Sequence, residues 1–179
     1  MSSEFYELMF GYDAMQRAVP GKPNFGVSVP IMFDPTPSAV LAPVVGSRLD
    51  RVDVQWHVVA GQDDSLMRFW LTFGSSTYGF HVGADREQLD VVLEAAGCDA
   101  DMGRYGRLEV RSTRDPDPPA AAVGQRLVVV QDLFDAYGQS PIGARLSFED
   151  VELSVADWED ELVWARGAFS LSGLGPAPV

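Results

Sequence analysis

Cysteine, histidine and lysine are almost missing from these 179 residues, and each shortage removes a class of chemistry. The one cysteine, Cys98, cannot form an intramolecular disulfide. Only two histidines are present, His57 and His81. A catalytic triad or a common zinc site needs a histidine with specific partners, and neither has an evident set nearby in sequence. No HExxH, GxSxG, Walker A or GxGxxG pattern occurs. No catalytic residue, metal ligand or cofactor is therefore assigned, and the chain is not expected to be an enzyme. Long apolar runs are missing as well. None approaches the ~20 residues that span a bilayer, so no membrane partner is expected. The opening MSSEFYELMF carries no basic segment followed by an apolar core, so it does not read as a signal peptide, and a cytoplasmic location is the default.

Positive charge is scarce. Thirteen basic residues, of which Lys22 alone is lysine, stand against 26 acidic ones, for a formal net charge of -13. Binding to nucleic acid needs a basic face, so nucleic acid is not an expected ligand. What the chain has in quantity is apolar surface: 46% hydrophobic residues, enough to build one packed domain and too many for a disordered chain.

The pattern of those residues is mostly that of strands. Residues 144 to 173 hold two alternating runs on either side of an acidic turn, as an antiparallel hairpin does. Val151, Leu153 and Val155 share one parity, and Leu146 and Phe148 the other. Leu162 and Trp164 likewise oppose Phe169 and Leu171 in parity across Gly167. Pairing Val155 with Leu162 and Leu153 with Trp164 makes both strands change face at one level, a bend between packing layers. A second hairpin is expected over 49 to 73. Pairing Val58 with Met67 brings Trp56 to Phe69 and Val54 to Leu71, with Gly61 to Asp64 as the turn. Its other face would carry Asp53, Gln55, His57, Arg68, Trp70 and Thr72, with His57 opposite Arg68 and Gln55 opposite Trp70.

Further strands are expected at 4 to 12, 25 to 33, 78 to 82, 107 to 113 and 126 to 134. The proline-punctuated stretch 34 to 47 is too apolar to float in water and should lie across the body. Residues 114 to 125 are the most flexible-looking connection. One helix is expected at 86 to 96, with Asp85 as its cap, Gln88 completing a capping box, Leu89, Val92, Leu93 and Ala96 at helical spacing, and Gly97 as its stop. These elements describe a mainly β single domain over 1 to 174: an antiparallel β-sandwich or flattened barrel of about eight strands with one short α-helix, then a disordered tail at 175 to 179.

Function is carried more by charge and tryptophan than by motif. Asp157, Trp158, Glu159, Asp160 and Glu161 form an acidic hairpin tip with a tryptophan inside it. Trp70, beside Arg68 and His57, is placed on a polar strand face. Tryptophan among charges is the composition of protein-binding hot spots. The expected function is an acidic protein-binding protein, an inhibitor or immunity-type factor of a bacterium or phage, whose partner is a basic protein. Two alternatives come from other classes: a β-sandwich or barrel that holds a small ligand or carbohydrate, and a structural subunit of a phage or secretion assembly, which would form homo-oligomers. The loop Asp99, Asp101, Gly103 resembles the start of a calcium loop but lacks the distal glutamate.

Overall fold

Val52, Val54, Trp56 and Val58 alternate with Asp53, Gln55 and His57, and this period of two makes β1, Arg51–Val59. It turns through Ala60 and Gly61, both at positive φ (52° and 81°), the combination that closes a two-residue hairpin. Strand β2, Gln62–Phe73, returns beside it. The computed structural model describes residues 35 to 83, 88 to 135, 141 to 158 and 160 to 168.

Among these residues β1 and β2 are joined by β3 (Ser76–Val82), β4 (Leu89–Leu93), β5 (Ala100–Asp101) and β6 (Arg107–Ser112) in one antiparallel sheet, in the order β4-β3-β2-β1-β6-β5. A second antiparallel sheet is a meander of β7 (Leu127–Phe134), β8 (Pro141–Phe148), β9 (Glu152–Trp158) and β10 (Glu161–Arg166). Their inner faces share one core. Val54, Phe69, Leu71 and Phe80 come from the larger sheet, and Leu146, Leu153 and Val155 from the smaller. Phe69 stacks on Phe80 with ring centroids 4.4 Å apart and meets Trp164 of β10 at 5.5 Å. The mainly β, two-sheet architecture is thus the one the alternation implies, with more strands than expected.

The helix at 86 to 96 is a correction. That stretch forms β4, which pairs Leu89 with Val82 and Val91 with Phe80. Leu89 and Val91 enter the core two residues apart, whereas Leu93, which a helix would have buried, is 68% exposed. Satisfying the ladder of β3 outweighs a weak helical spacing that contains two adjacent valines. Asp85 lies outside the described residues. Among the described residues the α-helix is instead α1, Pro37–Leu41, with proline at its first position. It lies in the stretch expected to cross the body, and Leu41, together with Val44 just after it, joins the core. Ser38 fixes the helix to β7, donating its N–H to Asp132 Oδ1 at 2.8 Å. Residues 118 to 122, expected to be flexible, form a 3₁₀ turn that buries Pro119 and Ala122.

Both hairpins differ from expectation in register. The change of parity near Glu149 is no bend: Phe148 ends β8, the chain reverses, and β9 starts at Glu152, with Leu146 opposite Leu153. Trp164 consequently faces Val155, and Leu162 faces Asp157. Phe169 and Leu171 lie outside the described residues, as do the strands expected at 4 to 12 and 25 to 33 and the tail at 175 to 179. In the first hairpin the turn falls before Gln62, and two bulges follow, so Val54 faces Phe69 and Val58 faces Asp63. At Val54 the slip is two residues and the faces keep their parity; past the first bulge Trp56 faces Leu66, and Leu66 rather than Met67 joins the core.

Candidate functional site

The outer face of the larger sheet carries Asp53, Gln55, His57 and Trp70, and all four are buried. A strap from Glu94 to Gly106 covers it. Three side-chain contacts hold the strap down. The Trp70 indole N–H donates to Glu94 Oε1 at 3.0 Å. The amide of Gln55 donates to the Cys98 carbonyl at 3.3 Å. His57 Nε2–H donates to the Tyr105 carbonyl at 2.6 Å. The strap lies close because it is glycine at the contact: a Cβ on Gly97 would sit 3.0 Å from the Trp70 ring.

This corrects the expectation that Trp70 is a surface contact. It is 1% exposed, one of the largest fully buried side chains, and opposes Gly79 and Asp53 rather than Gln55. His57 is 5% exposed and opposes Ser65, not Arg68. Alternation marked this face as polar but could not show that a distant loop covers it. Arg68 is partly exposed and pairs with Glu94 at 3.6 Å. His81, opposite Asp90, has its pKa lowered by burial and, secondarily, by the nearby Arg68 guanidinium.

His57 Nδ1 lies 3.0 Å from Asp64 Oδ2. A His–carboxylate pair is part of many catalytic sets, but there the second nitrogen faces a nucleophile. Here it faces a backbone carbonyl, which only accepts. The pair therefore orders structure. Among the described residues, no group of three or more His, Cys, Asp or Glu side chains is placed to hold a metal ion. In the calcium-like loop, Asp99 Oδ1 accepts from Val110 N at 2.7 Å and Asp101 Oδ1 from Gly103 N at 2.8 Å. No helix among the described residues is long and apolar enough to cross a membrane.

Beside the strap opens a concavity of about 580 Å³. Ala60 and Gly61 of the β1–β2 turn form one wall, and Asp99, Asp101, Gly103 and Gly106 the other, with Val58 and Leu108 also lining it. Sequence reasoning missed this feature, since its walls are more than thirty residues apart.

The acidic tip after β9 lies at the same end of the sheets. Leu49, just before β1, exchanges backbone hydrogen bonds with Gly124 and Gln125. Asp150, just before β9, donates its N–H to Gln125 Oε1 at 2.8 Å. Both strands therefore run away from the same segment, and their far turns share the opposite end. Of the expected tip residues, Asp160 and Glu161 are exposed and Trp158 is half-buried. Asp157 is a correction: it opposes Leu162 and is only 5% exposed, because it belongs to β9 and its parity points it inward. The side chain of Glu159 lies outside the described residues.

Compared with family models, curated proteins and solved structures, the chain matches none. Any functional reading therefore rests on the site itself.

Proposed function

We propose that this protein binds a basic protein partner at the end of the sheets that carries the turns after β1 and β9, as an inhibitor or immunity-type factor of a bacterial or phage system acting in the cytoplasm. The reading rests on the exposed acidic side chains that the turns and strap at this end carry on both sheets, Asp63 among them paired with Arg111. Asp63, Asp64, Asp99 and Asp101 come from the larger sheet and its strap, and Asp160 and Glu161 from the smaller, all exposed. A net charge of -13 extends the same field over the molecule. Such a field raises the association rate with a basic surface and disfavours acidic ones. Trp158, half-buried at the edge of the cluster, supplies an aromatic anchor.

The test is to isolate the partner with the intact chain as bait, then measure association by surface plasmon resonance at low and moderate salt. Asp160→Arg with Glu161→Arg should slow association about tenfold, and added salt should slow the wild type similarly. Rates indifferent to both changes would sink the reading.

The concavity favours a second reading, a small-ligand site, since its volume falls within the usual range for ligand pockets. Carbohydrates and other small polar ligands, screened by saturation-transfer NMR, would show binding that Gly103→Leu blocks.

A further inference from the structure

We propose that His57 is a proton-operated tie between the two walls of the concavity. The imidazole is buried on β1, between the start of β2 and the strap. On one side its Nδ1 meets Asp64 Oδ2 at 3.0 Å, three residues after Gly61. On the other its Nε2 meets the Tyr105 carbonyl at 2.6 Å, between wall residues Gly103 and Gly106.

A carbonyl and a carboxylate both only accept, so both contacts are hydrogen bonds only when the ring carries two protons. The neutral ring has one N–H. Its remaining lone pair would then face an acceptor oxygen, either the Tyr105 carbonyl of the strap or the half-exposed Asp64 carboxylate. On the acid side of the ring's proton loss the walls are tied together. On the alkaline side one tie is released.

The strap has no slack to absorb the change. Gly106 sits at φ +103°, and a Cβ there would lie 2.4 Å from the Val58 carbonyl and 3.2 Å from His57 Nε2. Backbone is thus pressed against backbone beside the ring, and a lost bond to Tyr105 is passed to the 3₁₀ turn Gly103–Tyr105.

Among the described residues, these groups face the ring from the elements packed against it. From β2 comes Asp64, while Ser65, directly opposite, is uncharged. From β6 the opposite residue is Leu108, whose neighbours Arg107 and Glu109 pair with each other. From the strap, the Arg104 guanidinium is bonded to the Tyr105 hydroxyl. Gln55, two residues back on β1, bonds the strap at Cys98 without charge. Arg68 stands opposite Gln55 and pairs with Glu94. Asp64 is a charge that the ring meets directly.

The test is an NMR titration of the intact chain from pH 5 to 9. Only two histidines exist, so His81→Gln assigns the ring signals. We expect the Gly103, Tyr105 and Gly106 amides to shift with the His57 ring, at one midpoint. In His57→Gln, whose side chain does not titrate, those amide shifts should be lost. Amides that stay still while the wild-type ring titrates would overturn the proposal, even if the variant fails to fold. So would a His57 ring that does not titrate in this range, or amide shifts that persist unchanged in His57→Gln. The inference does not depend on a protein partner: the titration reads the tie alone, and association rates read the docking.

Discussion

The indole N–H of Trp70 and the carboxylate of Glu94 meet at 3.0 Å directly over Gly79, which opposes Trp70 on β3. A Cβ on Gly79 would lie 2.0 Å from Glu94 Oε1 and 2.9 Å from Trp70 Nε1. The glycine thus leaves the room in which the strap is anchored.

Gly79→Ala should displace that carboxylate and leave the buried indole donor without its acceptor. The expected cost is about 1–3 kcal/mol of unfolding free energy, measured by urea denaturation. An unchanged midpoint would mean that Glu94 can shift and keep the bond.

Phe69→Ala should be the more damaging change. The ring is fully buried, stacked on Phe80 and in contact with Trp164 across the two sheets. Truncation leaves a cavity at the sheet interface and should cost about 3–5 kcal/mol in the same experiment. A loss below 1 kcal/mol would show that the sheets are held together elsewhere.

His81 makes stability depend on pH. Burial, and then the Arg68 guanidinium, hold its folded-state pKa below the ordinary 6.5. Between the lowered value and 6.5 the unfolded chain binds more protons, so stability is complete above 6.5 and falls as pH drops through that window. Thermal unfolding from pH 7.5 to 5 should show a steeper decline for wild type than for His81→Gln. Parallel curves would remove His81 from the account.

Ala60 holds a left-handed conformation, φ 52°, at the first position of the β1–β2 turn. A Cβ disfavours that region, and asparagine tolerates it better. Ala60→Asn should raise stability by about 0.5–1 kcal/mol, read as an increase in Tm. A decrease would show that alanine makes a contact which asparagine disrupts.

The failures of sequence reading share a cause. Leu89, Val92 and Leu93 fit a helical spacing, yet β3 offered an unpaired edge, and β4 took it. Parity placed Trp70 and His57 on the polar side of their strands, where they are. It carried no information about Gly97 or Tyr105, which arrive from another part of the chain and cover them. Asp157 sounded like a member of an acidic tip, whereas its place in β9 turns it toward Leu162.

By itself the sequence determined the mainly β class, which residues of β1, of β9 and of β2 from Phe69 onward face the core, and the acidity of the whole. Those properties follow from period and composition, which are local or additive. Only the tertiary structure decided the registers, the strap over Trp70 and His57, and the shared end of the two acidic turns. Each of these depends on which distant segments satisfy one another's backbone and buried polar groups, and no single stretch of chain contains that information.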